Sequence, residues 1–178
     1  DAEAVIENAL TPVIFDLSSA ERLETAAAVK GQTLKVHIKV DTGMGRLGLA
    51  PDEMISFLKE TMKFPSLEIE ALMSHLSSAD EEDTAFTESQ IEKFRNIIAE
   101  ARHMGMELKL NHLANSAGTV AYRESHFDMV RPGIMLYGGL PSPGFRTKVK
   151  IKPVMGLSAR ILQVREFEKK APISYGRT

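Results

Sequence analysis

The sequence predicts an α/β fold, with β/α units around a parallel sheet over most of its length and an all-β region after them. Three observations predict it. Short apolar runs alternate with longer amphipathic stretches up to about residue 140, which is the pattern of β/α units. Residues 141–145, P-S-P-G-F, then form a linker with two prolines and a glycine. Beyond it, residues 149–154 and 157–167 read as strands with no helix between them, which places a domain boundary in the span 141–150.

The elements follow in order. Residues 2–8 read as a helix and 12–15, P-V-I-F, as a strand. Ser18 to Glu21 makes a capping box for a helix that runs to Lys30, with Gly31 as its stop. Residues 34–40 alternate, putting Leu34, Val36, Ile38 and Val40 on one face of a strand. After a glycine-rich loop, Pro51 suits the first position of a helix reaching about Lys63. Residues 67–72 are a third strand, ending at Ser74 and His75. A polar loop, 77–83, precedes the strongest helix. Thr87 to Gln90 opens it as a second capping box, and Ile91, Phe94, Ile97, Ile98 and Ala101 form its apolar stripe, closed by Gly105. Residues 108–113 are a fourth strand, Asn115-Ser116 opens a short helix, and 127–130 begin a fifth strand that runs into Arg131-Pro132-Gly133.

Composition narrows the function. The 178 residues are 43% hydrophobic and 26% charged, with 22 basic against 24 acidic residues. A net charge of -2 spread along the chain offers no footprint for nucleic acid or an anionic membrane. No apolar run approaches the roughly 18 residues of a membrane helix. Cysteine is absent, which removes disulfides and thiolate chemistry. A soluble, cytoplasmic protein is expected. The chain starts without Met inside a helix-like stretch and stops at S-Y-G-R-T in a strand-like run, so both ends are expected to be cuts in a longer protein.

Polar clusters follow four successive strands, where β/α barrels keep their functional residues. They are K-V-D-T-G-M-G-R at 39–46, S-H-L at 74–76, H-L-A-N-S at 112–116 and V-R-P-G-I at 130–134. Each has a bland reading. The glycines allow a tight turn, Asn115-Ser116 is a helix cap, a single His75 is a hydrogen-bonded interior histidine, and the acidic run 80–83 is a solvated loop. No paired-histidine or carboxylate pattern supports a metal, and none is expected. The functional readings share anion binding. Ser116 at a helix start, with the N–H groups of Gly133 and Ile134, suits a phosphate. Arg46 and Arg131 are permanent cations suited to a carboxylate or a ring acceptor. Together they suggest a phosphorylated cofactor and an amino-acid or organic-acid substrate.

At these residues the sequence resembles the alanine racemases, pyridoxal-phosphate enzymes with a β/α barrel followed by a β-rich domain. K-V-D-T-G-M-G-R-L-G at 39–48 carries the resemblance, with H-L-A-N-S-A at 112–117, V-R-P-G-I-M-L-Y-G at 130–138 and S-Y-G at 174–176 in the family's order. The resemblance implies a partial (β/α)8 TIM-type barrel, its last five β/α units in residues 1–147, and the beginning of a β-rich C-terminal domain in 148–178. It implies interconversion of L- and D-alanine through a pyridoxal-phosphate aldimine, supplying D-alanine for peptidoglycan, in a cytoplasmic homodimer.

The same resemblance implies roles. Arg131 faces the pyridine nitrogen, and His75 hydrogen-bonds Arg131. Ser116, Gly133 and Ile134 cradle the phosphate, and Asn115 lies beside the cofactor. Arg46 serves the substrate carboxylate, and Lys39, carbamylated, orients Arg46. The family's Schiff-base lysine motif, A-V-x-K-A-N-A-Y-G, and its tyrosine motif, G-Y-x-D-G, do not occur in this sequence. Tyr175 belongs to an earlier strand than that tyrosine. The isolated chain is therefore expected to be inactive, with five strands that cannot close a barrel and residues 12–15 at an open edge. Racemases of serine or other amino acids on the same scaffold, and non-catalytic pyridoxal-phosphate-binding barrels, are the alternatives.

Overall fold

A computed structural model describes residues 2–177. A short helix, α1 (Ala2–Glu7), leads to the edge strand β1 (Val13–Ile14). Then come α2 (Leu17–Lys30), β2 (Leu34–Lys39), α3 (Met54–Thr61), β3 (Leu67–Met73) and α4 (Ala85–His103). The three strands pair in parallel in the order β1-β2-β3, with Val13 opposite His37 and Leu34 opposite Leu67. Two short helices, α5 (Ser116–Ala121) and α6 (Gly133–Leu136), follow.

The alternation of residues 34–40 decides which face of the sheet meets the helices. Val36, Ile38 and Val40 are fully buried, in one cluster with Ala20, Leu23 and Ala27 of α2, Leu58 of α3, and Ile91, Phe94 and Ala101 of α4. Period two sends Lys35, His37 and Lys39 to the opposite face. Burying the apolar face contributes about 25 cal/mol per Å², and the polar face is thereby left to carry chemistry. The β2–β3 register shifts between Val36 and His37, which face Ile69 and Ala71 respectively. Glu70 is therefore the extra residue of a bulge, a device that re-aims a side chain.

Several boundaries differ from expectation. Asp16, not Ser18, caps α2. Its extended backbone lets the carboxylate accept from Ser19 N at 2.7 Å, while the Ser18 hydroxyl accepts from Arg22. Gly31 ends the helix at φ 62, as expected. Pro51 lies in a turn, and α3 begins at Met54. Helix α4 begins before the box at 87–90, so Thr87 and Gln90 are buried inside it and Asp83 takes the N–H of Ala85.

The fourth and fifth strands shrink to single bridges, Met73 to His112 and His112 to Met129. Side chains interrupt their ladders. Asn111 Oδ1 replaces a backbone carbonyl for Leu72 N at 3.0 Å, and the Asp128 carboxylate takes Asn111 N at 3.0 Å. The strands expected at 149–154 and 157–167 are absent among the described residues. Leu157 and Leu162 are 97% and 94% exposed. An alternating sequence supplies a face, but a strand also needs a neighbouring strand for its N–H and C=O groups. Here, among the described residues, the backbone contact is a single one, Val154 N to the Tyr137 carbonyl at 3.3 Å, besides a turn bond from Val149 N to the Phe145 carbonyl. Among the described residues, no helix is long and apolar enough to cross a membrane.

Phe94 of α4 is fully buried and meets Phe127 edge-on, with 5.0 Å between ring centroids. That contact fixes the turn from which the chain enters Arg131. Phe94→Ala is expected to cost about 3–5 kcal/mol, read as a lowered urea midpoint. A loss below about 1 kcal/mol would show that the pair bears little of the fold.

Candidate functional site

The loop after β2 is organised by one carboxylate. Asp41 Oδ1 accepts from Gly43 N at 2.9 Å and Met44 N at 2.7 Å, and Oδ2 accepts from Arg46 N at 3.2 Å. Burial pushes the Asp41 carboxyl up, but these N–H groups and that of Gly45 outweigh it and hold the group below the usual range. Gly48 sits at φ 123, and a Cβ there would lie 2.8 Å from Asp41 N, so only glycine lets the loop return this tightly. The loop is tied to the end of β3 by Thr42 Oγ1 and Ser74 Oγ at 2.9 Å. Gln90 of α4 adds a second tie. Its amide donates to the His75 carbonyl at 3.1 Å and accepts from Ser77 N at 3.0 Å.

Arg131 gathers the other strand ends. Its Nη2 donates to the carbonyls of Ser74 at 2.7 Å and Leu113 at 3.4 Å, and to His75 Nδ1 at 3.3 Å. Its Nη1 donates to His112 Nδ1, and its backbone N–H to the Ala114 carbonyl at 3.0 Å. The expected contact with His75 is present. His112 is a partner that the sequence reading left out; its place at a strand end, one cluster before Arg131, was the available signal.

Both imidazoles must be neutral to accept. Burial first, then the charge of Arg131, pushes His75 down to about 4 and His112 down to about 3. Burial brings Arg131 to about 10, so it stays cationic at neutral pH. Lys39 is buried in the same mouth. Its pKa is lowered by burial, then by Arg131 and Arg46, against an opposing pull from Asp41. Among the described residues, neither Lys39, Arg46 nor Arg131 forms a salt bridge. Three cations without balancing carboxylates favour an anion.

The remaining residues sit at two helix starts that meet each other. Asn115 caps α5, with Oδ1 accepting from Gly118 N at 2.9 Å and Nδ2 donating to the Leu76 carbonyl at 3.1 Å. The buried Ser116 begins α5, and its Oγ accepts from Met135 N in α6 at 3.4 Å. Ile134 lies in the first turn of α6, where helix geometry leaves its N–H without an intrahelical partner. Gly133 departs from the expected cradle in one respect. Its N–H is turned back to the Arg131 carbonyl at 2.8 Å.

Comparison with known proteins agrees on one family. The family model described as alanine racemase, N-terminal domain, matches residues 1–141. An alanine racemase of Syntrophobacter fumaroxidans is 40% identical over 177 residues, covering 99% of this chain and 47% of that protein. A solved alanine racemase of Clostridium difficile 630 superposes with a TM-score of 0.88 at 29% identity, over 98% of this chain and 46% of that one. One from Bacillus anthracis, solved with bound L-Ala-P, superposes at 0.82 with 31% identity, over 98% and 46%. The chain thus spans about half the length of the curated relatives it matches.

The Asp41 hub has a pH signature. A carboxyl held below its unfolded value of about 3.9 adds stability that is fully present above that pH and is lost as pH falls through the folded value. Amide protection at Met44 and Arg46 is therefore expected to persist from neutral pH to about 4 and to collapse below it. Asp41→Ala should remove it at all pH values, making local opening easier by about 1.5–3 kcal/mol. Protection that ignores both changes would show that the loop is held by something else.

Proposed function

Because the chain belongs to the alanine racemase N-terminal domain family, we propose that it forms the pyridine-nitrogen and phosphate sides of a pyridoxal-phosphate site in an enzyme that interconverts L- and D-alanine. The carrying observation is the Arg131 guanidinium, fixed by two carbonyls and two neutral imidazoles beside two further cations without carboxylate partners. In this reading residues 1–147 belong to the barrel and 148–178 begin a β-rich domain. The division is supported by Phe145 being the last residue of the buried core. The resemblance extends the reading to a cytoplasmic homodimer that feeds peptidoglycan synthesis.

The donor set fits the cofactor. When bound, pyridoxal phosphate supplies an electron-accepting ring beside the substrate α-carbon. Ser116, with the backbone of Ile134 and of Gly133 once its N–H turns outward, binds the phosphate at the facing starts of α5 and α6. Asn115 holds that helix start in place. The protein contacts of Arg131 run through Nη1 and Nη2, which leaves Nε–H among the donors that would be offered to the ring nitrogen. The proton stays on the guanidinium, which limits the ring's electron withdrawal. His75 keeps its lone pair for Arg131 and orients it.

Arg46 binds the substrate carboxylate. Lys39 supports it as a carbamate. Its amine, made less basic by burial and by two neighbouring cations, attacks carbon dioxide, forms an N–C bond and releases a proton to solvent. The resulting anion then pairs with Arg46.

Titration of the chain with pyridoxal phosphate, followed by phosphorus NMR, tests this reading. One saturable site is expected, competed by inorganic phosphate. Ser116→Ala should weaken it about tenfold, the equivalent of one hydrogen bond to a charged group. In a longer racemase that contains this chain, Arg131→Gln should lower kcat about a hundredfold. Equal binding of pyridoxal without its phosphate, together with an indifferent Arg131→Gln, would overturn the proposal.

A further inference from the structure

A hydrogen-bonded series runs from Arg131 along the polar face of the sheet toward the start of β2. Arg131 Nη1 donates to His112 Nδ1. His112 Nε2 lies 2.9 Å from His37 Nδ1, and His37 Nε2 lies 3.3 Å from Glu70 Oε2. Glu70 Oε1 accepts from Lys35 Nζ at 2.6 Å. His112, His37 and Glu70 are all buried, whereas half of the Lys35 side chain is exposed. Only the first of these contacts belongs to the site already described.

The two ends dictate the direction of every bond between them. A guanidinium only donates, and a carboxylate only accepts. His112 must therefore present a bare Nδ1 to Arg131 and carry its proton on Nε2. His37 must accept on Nδ1 and carry its proton on Nε2, facing Glu70. The reverse arrangement would set an N–H against the guanidinium and a lone pair against the carboxylate. Glu70 is placed for this task by the sheet itself. It is the bulge residue between Ile69 and Ala71, so its side chain is aimed by a local irregularity rather than by regular pairing.

We infer that His37 and Glu70 are positioning residues, which hold His112 with its Nδ1 lone pair toward Arg131 and make Glu70 the relayed counter-charge of that guanidinium. The inference rests on the reading of Arg131 as the group that faces the cofactor, but its first test does not require a cofactor.

Nitrogen-15 NMR of the ligand-free chain, labelled at histidine and arginine, reads the series directly. Protons are expected on Nε2 of both His37 and His112, with a through-bond coupling between His112 Nε2 and His37 Nδ1. Glu70→Gln, which keeps the shape and removes the charge, should shift His112 Nδ1 and speed solvent exchange of the Arg131 Nη protons about tenfold, the low end of what loss of an outer partner costs a metal site in affinity. Lys35→Ala should leave both within about twofold, the ordinary scatter for an exposed pair. A merely structural Glu70 would lower the melting temperature and leave the His112 and Arg131 signals in place, which would overturn the inference. So would a proton on His37 Nδ1 in the unsubstituted chain, a reading that decides the matter even if Glu70→Gln does not fold. Pyridoxal-phosphate affinity is measured on the same samples. If the unsubstituted chain binds no cofactor while the NMR pattern is as expected, the functional reading fails and the relay stands.

Discussion

A guanidinium drawn out of water must find an acceptor for nearly every N–H it carries, and in this chain Arg131 finds them on segments far apart in sequence. Ser74 and His75 lie just past β3, and His112 and Leu113 lie at the next bridge. The backbone N–H of Arg131 pairs with Ala114. Each acceptor is usable only if its strand stops at the right residue, so the register of the sheet and the chemistry of its mouth are one constraint. Leaving such a group partly unpaired would cost several kcal/mol. The bulge at Glu70 and the Asn111 and Asp128 side chains that interrupt the last ladders are consistent with strand ends adjusted to meet that demand.

The electrostatics follow from the same arrangement. Burial first, and then the charges of Arg131 and Lys39, keep His75 and His112 neutral, and burial together with Arg131 and Arg46 lowers the basicity of Lys39. The carboxylate in the neighbouring loop, Asp41, has its oxygens engaged by backbone N–H groups, so it pulls on Lys39 from a distance and forms no ion pair with the cluster. A mouth of this kind holds its shape through hydrogen bonds and its charge in reserve for an incoming anion. Ser116 and the start of α6 extend the same preference to one side, with neutral donors.

Much of this was legible in the sequence because it rests on local rules. The alternation of residues 34–40 placed the buried and polar faces of β2, and Gly31 marked the end of α2. The clusters at 39–46, 74–76, 112–116 and 130–134 located the mouth. What was not legible depends on partners distant in sequence. Gln90 looked like half of a capping box, yet its amide is spent joining α4 to the loop after β3. The pairing of Glu70 with His37 needs a register shift that no single strand announces. Residues 149–167 have the alternation of strands, but pattern alone does not provide the neighbouring strand.

The central claim is that Arg131 ties together the ends of separate segments. Arg131→Lys tests it most directly, because the charge stays while the planar fork that reaches several acceptors is lost. Amide hydrogen exchange would be mapped along the chain in both forms. Protection around residues 74–76 and 112–114 should fall together, while β1 and α2 keep theirs. Unchanged protection at those two strand ends would contradict the account.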